Sequence, residues 1–436
     1  MAIRAFLSGP IAKATLLSLA IQVGAIAFGV VQAILTARLL GPEGYGVVAY
    51  VFSLALLLAT LALLGTEQLA VREVARFRAL NDDRSLANFL RGIRRPVIGS
   101  CLIGVIVAIL MIPYFTAGDE SFKGAVWFVV LLFPIVAFIL QNQGILRGFG
   151  RVALAQTPFQ ILRPALTVFV LVTVWALGLN ITPTGYLVTV TIGTGLAFVL
   201  TVFALSRLPR REQATTGSLD GFAKMAAPFF LITVFGLLLR EINTLMLAWW
   251  SSAEETGLFQ PIARIAPLLV LGSQAASMLY APRVSELWAK GEKERLARIT
   301  RTFTWTTTGF AIVMAVVVLG LGDFILGLFG REFTANTAAL WWIAAAQIVN
   351  AACGPVGFLL TMTSRAAAAV WPQAAGVVVN IALSVVLIPS HGAYGAAIAM
   401  SVGIVTWNIG MLINVRRNLG MDPSLFGRPP KPPRVS

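Results

Sequence analysis

Apolar runs of 18 or more residues recur from one end of this 436-residue chain to the other. Each is long enough to cross roughly 30 Å of hydrocarbon as a helix rising about 1.5 Å per residue. Only 12% of the residues are charged, about half the share of an average soluble chain. A soluble fold is excluded, because no aqueous protein of this size has enough interior to hide so many continuous apolar helices. Lipid is the solvent.

The runs predict twelve crossings, at about 14–40, 45–70, 88–112, 124–148, 158–178, 184–206, 224–249, 261–287, 301–322, 335–361, 367–388 and 393–415. Their Gly, Pro, Asn and charge content marks GPEGYG, TAGDESFKG, GRVALAQTP, NITPTG, SSAEETG, FGREFTAN, SRAAAAVWP and PSHGAYG as connectors. None is long enough to be an extramembrane domain. The start, MAIRAFLSGPIAKA, is basic like a signal peptide, but the apolar stretch behind it is far longer, so it reads as a retained first helix.

A net charge of +15 would point to nucleic acid in a soluble protein. Here the basic residues sit between apolar runs and encode topology instead, since short loops rich in Lys and Arg stay in the cytoplasm. With the N-terminus inside, only Arg38, Lys123, Arg240, Arg264 and Arg331 of the 33 Lys and Arg fall outside or within helices. The other 28 lie on inner segments or adjacent helix ends, seven of them between Arg72 and Arg95. Both termini are therefore expected in the cytoplasm, which requires an even number of crossings. The basic amphipathic stretch 72–95 is expected to lie along the cytoplasmic surface against anionic membrane lipids.

The chain also repeats. A shift of 213 pairs Gly44 with Gly257, Val71 with Val284 and Glu73 with Glu286; a shift of 214 pairs Arg151 with Arg365 and Pro158 with Pro372. These are uncommon residues in so apolar a chain, so the match reads as a duplication. Six helices per copy keep both copies in the same orientation, as in parallel-repeat transporters, with a substrate path expected between the halves. The expected division is an N-terminal half at 1–206, a cytoplasmic linker at 207–223, a C-terminal half at 224–415 and a cytoplasmic tail at 416–436.

Several stretches resemble a known family. They are ARLLGPEGYGVVAYVFSLALLLATLALLG at 37–65, REINTLMLAWWSSAEETGLFQPIARI at 240–265, APRVSELWAKGEKERLARITR at 281–301, LGLFGREFTANTAALWWIAAAQI at 326–348 and VVVNIALSVVLIPSHGAYGAAIAMSVG at 377–403. Together they resemble the polysaccharide transporter family, which flips O-antigen and other lipid-linked oligosaccharides, within the multidrug/oligosaccharidyl-lipid/polysaccharide exporter superfamily. The resemblance implies an all-α membrane protein with a MATE-like arrangement of two six-helix halves. It also implies a carrier, not an enzyme, that serves lipopolysaccharide biosynthesis in the bacterial inner membrane. Its cargo would be an undecaprenyl-diphosphate-linked glycan moved outward by alternating access, with no cofactor beyond possible proton or sodium coupling. One departure is Asn243, where many relatives carry an acid; the nearest acid here is Glu241.

The candidate substrate contacts begin with Arg240 and Glu241, ionisable groups deep in the seventh crossing, where such residues are costly unless they face a partner or a water-filled cavity. Adjacent helical residues do not face each other, so this pair does not neutralise itself. Arg147 and Arg163 lie toward the cytoplasm, and Arg38 and Arg264 toward the outside. Arg offers a bidentate fork for phosphate oxygens, although each of these four taken alone reads as an interfacial anchor. Gln22, Gln32, Gln141, Asn142, Gln143, Asn243, Gln347, Asn350 and Asn380 form an amide layer suited to sugar hydroxyls or to helix–helix hydrogen bonds. The run 141–143 covers most of a helix circumference and is expected to contribute a polar cavity wall. Pro134, Pro164, Pro228, Pro267, Pro282, Pro355 and Pro372 are candidate kinks, and Trp249, Trp250, Trp341 and Trp342 an interface belt.

Cys101 and Cys353 lie far apart in apolar segments, and the single His391 leaves little acid–base or metal chemistry. Three functional classes stay in play: a lipid-linked oligosaccharide flippase, a multidrug exporter of the related extrusion family, and a non-transporting scaffold of a glycan-assembly complex. A basic interior suits a diphosphate, whereas an exporter of cations would present acids. A membrane-embedded glycan ligase or polymerase would show a large outer loop, and the outer connectors are short.

Overall fold

The computed structural model describes residues 10–115, 120–208, 222–363 and 365–427. Arg4, Arg210, Arg211, Arg428, Lys431 and Arg434, with parts of the connector at 116–124, the linker at 207–223 and the tail at 416–436, lie outside them. All regular structure among the described residues is helical, as lipid demands of a chain whose backbone groups must be satisfied within each crossing.

The helices are α1 (Pro10–Ala62), α2 (Thr66–Ala79), α3 (Asp83–Gly92), α4 (Arg94–Phe115), α5 (Trp127–Gly148), α6 (Val152–Thr157), α7 (Arg163–Ala176) and α8 (Pro183–Ser206). They continue with α9 (Phe222–Trp250), α10 (Ala253–Ile265), α11 (Leu271–Ala289), α12 (Lys293–Gly320), α13 (Gly322–Gly327), α14 (Ala339–Ala352), α15 (Val356–Met362) and α16 (Val370–Leu419). Eight helices are long and apolar enough to cross a membrane, or nine when α14 and α15, bent by 42°, form one span.

Two of those helices are each two crossings. As a straight rod the 53-residue α1 would extend about 80 Å, far beyond the hydrocarbon thickness. It breaks at Gly41 (φ 67°, ψ −178°), a conformation that only glycine adopts without strain. The 50-residue α16 breaks in the same way at Gly392 (φ 48°, ψ −130°). With α10 and α11, joined through the 3-10 turn Ala266–Val270, as the eighth crossing, the described helices make twelve.

Five sequence expectations are corrected. GPEGYG and PSHGAYG are not loops, since each shrinks to a single non-helical glycine. GRVALAQTP is helical from Val152 and passes into a π-helical turn at Pro158–Leu162. SSAEETG is the start of α10: the Ser252 hydroxyl accepts the Glu255 N–H at 3.1 Å, capping the helix as Ser does. The second crossing ends at Ala62 instead of 70, because Leu64 and Gly65 turn through positive φ. Gly65 lies so close to Phe230 N and Ala226 O that a Cβ would sit within 2.8 and 2.6 Å of them.

The basic residues Arg72, Arg76, Arg78, Arg84, Arg91, Arg94 and Arg95 of the stretch 72–95 are exposed, and the stretch is not one continuous helix. It divides into the end of α2, a turn at Leu80–Asp82, α3 and the start of α4. The apolar face of α3, Leu86 and Phe89, packs on Leu69, Ala70, Val74, Ile93, Ile145 and Ala226, so it is spent inside the protein and not on lipid. Asp82 caps α3 by accepting the Ser85 N–H at 2.9 Å. That backbone bond, seconded by the Ser85 side chain, holds the Asp82 carboxyl below its ordinary value.

Packing divides the chain into two compact units, one of Met1–Val234 with Ser252–Gly257 and the other of Phe235–Ser251 with Leu258–Ser436. In the first, α5 lies against α2 through two glycines four residues apart. A Cβ on Gly144 would come within 2.4 Å of Glu67 O, and one on Gly148 within 2.6 Å of the Val74 Cβ. This small-xxx-small seam lets two backbones approach as closely as membrane helices can. The second unit has its own core of Tyr280, Val284, Leu287, Leu296, Phe303, Cys353, Val356, Leu359, Leu360, Met411, Val415 and Leu419.

Gly144→Ala is expected to destabilise the folded protein by about 1–3 kcal/mol, the cost of overpacking against backbone that cannot give way. A lowered thermal midpoint in detergent would register it. The depressed Asp82 pKa gives a second expectation: its cap is fully formed above the unfolded carboxylate value of about 3.9 and is lost as pH falls through the lower folded value. The protection of the Ser85 amide, its exchange relative to a free amide at the same pH, should therefore fall only in that acid window, and at all pH values in Asp82→Ala.

Candidate functional site

The candidate residues in the first unit are spread over several local groups. Arg147, in the last turn of α5, forms an ion pair with Glu67 in the first turn of α2, and its Nε donates to Gln143 O at 3.4 Å. The two side chains retain 26% and 14% of their surface. Arg147 is thus partnered at the α2–α5 seam instead of reaching out as an interfacial anchor.

Arg163 opens α7 immediately after the π-helical turn Pro158–Leu162. Its guanidinium is sandwiched between Phe52 of α1, 4.7 Å from the ring centre, and Phe159 at 4.4 Å. Gly193 of α8 lies beside the stem, where a Cβ would make ordinary contact with the Arg163 Cγ at 3.5 Å. An extra residue in a helical turn re-aims the side chains that follow it, and aromatic faces on both sides stabilise a desolvated cation. The third group is Gln32 of α1, whose amide donates to the Tyr186 hydroxyl of α8 at 2.6 Å. Gln22 is half-buried and Arg38 exposed.

The amide run Gln141, Asn142 and Gln143 is buried on every side. Gln141 Nε2 donates to Ile93 O at 2.9 Å, and Asn142 Nδ2 to Thr201 Oγ1 of α8 at 3.4 Å. These groups join helices, which corrects the expectation of an open cavity wall. Consecutive amides reach all sides of α5 because neighbouring helices surround it.

In the second unit the structure brings Asn243 of α9 and Asn380 of α16 together through a residue that sequence reading missed. The Ser384 hydroxyl lies 2.9 Å from Asn243 Oδ1 and 3.4 Å from Asn380 Oδ1. Both asparagines and Ser384 are completely buried, and Gly403 leaves space for Asn380, a Cβ there meeting the Asn380 Cβ at 2.9 Å. One hydroxyl proton faces two carbonyl oxygens, so the node joins the helices with donors to spare: the two amide nitrogens are buried without hydrogen bonds. Ser384 stands four residues after Asn380, on the same helical face, a spacing that could have revealed it. Gln260 of α10 donates to Thr244 of α9 at 3.2 Å, another pairing that sequence spacing does not signal.

Asn350 Nδ2 donates to Gln347 Oε1 at 2.9 Å within α14. Arg264, at the end of α10, is exposed. Arg240 is also exposed, whereas Glu241 beside it is half-buried, as their different directions around the helix require. Trp249, Trp250, Trp341 and Trp342 are all exposed. Of the candidate kinks, Pro267 sits in the 3-10 turn between α10 and α11, and Pro355 at the bend between α14 and α15; Pro158, at the π-helical turn, was not among them.

Arg147→Ala is expected to lower stability by about 2–3 kcal/mol, near the low end for a buried pair because Arg147 keeps some solvent contact. A double variant with Glu67→Gln should recover most of the loss. Recovery in a thermal unfolding series identifies the cost as that of an uncompensated carboxylate.

Comparison with known proteins places this geometry. The family described as "Polysaccharide biosynthesis protein" matches residues 11–288. A protein of Haloferax volcanii described as "Probable low-salt glycan biosynthesis flippase Agl15" is 27% identical over 147 residues, 34% of this chain and 31% of that protein. The chain thus spans about a third of the length of that relative. Among solved structures, an inward-facing multidrug resistance MATE family transporter of the MOP superfamily superposes with a TM-score of 0.74 at 14% identity, covering 93% of this chain and 98% of the other. The lipid II flippase MurJ in an inward closed conformation gives a TM-score of 0.67 at 15% identity, covering 92% and 87%. At such identities the likeness shows the fold alone.

Proposed function

The chain belongs to the polysaccharide biosynthesis protein family, matched over residues 11–288, and from that premise we propose that it is a flippase for lipid-linked oligosaccharide. Its cargo in this reading is an undecaprenyl-diphosphate glycan, moved from the cytoplasmic to the outer leaflet of a bacterial inner membrane by alternating access. Both termini face the cytoplasm, and the product feeds lipopolysaccharide or O-antigen synthesis. The two six-helix halves at 1–206 and 224–415 are the parts that alternate.

The single observation that carries the reading is Arg240. It is exposed ten residues before Trp250, which with Trp249 ends α9 as an exposed pair. Ten residues are about 15 Å of helix, half the hydrocarbon core. An arginine side chain reaches less than half of that distance, so snorkelling to the interface does not account for it. An exposed guanidinium at such depth is stable only against water or an anion. A diphosphate leaving the headgroup region needs charge-assisted hydrogen bonds along its way, and Arg240 supplies them at mid-depth. Arg163, Arg38 and Arg264 are its proposed companions, and Gln22, Gln32, Gln347 and Asn350 the proposed partners of sugar hydroxyls. Glu241 is the proposed site of coupling to an ion. No enzymatic step is required, because the cargo is moved and not changed.

Reconstitution into proteoliposomes with a labelled undecaprenyl-diphosphate oligosaccharide tests this. Protein-dependent transfer between leaflets is expected, slowed about 10- to 100-fold in Arg240→Ala, the loss of a hydrogen bond to a charged group, and partly restored in Arg240→Lys. No transfer from folded protein across several glycans and imposed ion gradients would overturn the proposal. Movement of cationic drugs in the same vesicles would then favour the multidrug reading.

A further inference from the structure

The expected tail at 416–436 begins as something more structured. α16 ends at Gly420 in the left-handed region (φ 65°), and the chain turns back across the end of its own unit. Arg416 Nη2 pairs with Asp422 Oδ2 at 2.7 Å, and Asp422 Oδ1 accepts the Ser424 N–H at 3.1 Å. Pro423 and Ser424 are buried. From there the backbone makes two long-range bonds. Pro423 O accepts the Thr304 hydroxyl of α12 at 2.7 Å, and Leu425 N donates to Ala352 O at 2.8 Å.

Ala352 is the last residue of α14, so its carbonyl is one of those that a helix end leaves without an internal partner. It stands just before the 42° bend into α15. Between the two helices Gly354 takes φ 79°, and a Cβ on it would lie 2.5 Å from Pro423 O and 2.6 Å from Thr304 Oγ1. The backbone after α16 therefore fills the space that a side chain at the bend would occupy, and it satisfies the carbonyl that the bend exposes. Neither attachment is permanent in character. The Thr304 hydroxyl has a second acceptor in Thr300 O at 3.0 Å, so it keeps a partner when Pro423 withdraws. The Arg416–Asp422 pair is half exposed on its arginine side, where ion pairs contribute little.

We propose that Met421–Gly427 is a releasable strap that holds the bend between α14 and α15, and that this crossing changes shape when the strap lets go. The consequence for transport rests on the flippase reading, with the tenth crossing as an element whose shape alternates. The strap itself does not, and the chain carries its own reporter. Cys353, buried at 5% exposure beside Gly354, belongs to the core under the strap, while Cys101, equally buried in α4 of the other unit, is a reference.

The test is the rate of maleimide labelling at Cys353 and Cys101 in the purified full-length protein, in detergent and without substrate. Thr304→Val removes the hydroxyl at nearly constant shape, and Leu425→Pro removes the donor to Ala352. Each is expected to speed labelling of Cys353 about five- to tenfold, the equivalent of one hydrogen bond, with Cys101 unchanged. Unchanged labelling of Cys353 in both variants would overturn the proposal. An equal rise at both cysteines would overturn it as well, because it reports general loosening. Absence of glycan transfer in vesicles would sink the flippase reading and leave the labelling result standing.

Discussion

Hydrocarbon supplies no hydrogen bonds, and the rest of this structure follows from that. Each crossing must close its own backbone ladder, so all regular structure among the described residues is helical. The same rule makes every interruption expensive, and interruptions appear only where something answers them. Gly41 and Gly392 take conformations that cost other residues strain. The bend after Ala352 exposes a carbonyl, and Leu425 returns from the chain terminus to meet it. Ser252 caps the helix that starts one residue later.

Polar side chains obey the same economy. Gln141 and Asn142 spend their donors on Ile93 and Thr201, and Arg147 neutralises Glu67 at a seam made narrow by Gly144 and Gly148. Arg163 is held differently, between two aromatic faces, where a helix of the first unit widens to a π-helical turn. Arg240 differs from these buried groups in being exposed.

The two units answer the rule with different chemistry. The first holds an ion pair and an arginine between aromatic rings beside its neutral amide hydrogen bonds. In the second, a neutral node of Asn243, Asn380 and Ser384 joins two helices. The node contains no acid. Glu241, one residue before Ile242 and on another side of α9, is half-buried and is left as the acid nearest to it in sequence.

The sequence by itself determined the class of solvent, the helical class, the number of crossings and the family, because apolar run length and glycine or proline punctuation are local properties. Run length could not say where a helix ends, since the same residues that form loops in water continue as helix in lipid; hence GPEGYG and PSHGAYG each reduced to one glycine. Tertiary structure alone decided which amides were spent on neighbouring helices, that Ser384 joins Asn243 to Asn380, that Phe52 and Phe159 enclose Arg163, and that residues after α16 close over Gly354. These contacts link positions up to 154 residues apart. A linear pattern carries the chemistry of each partner, but only packing carries the distance between them.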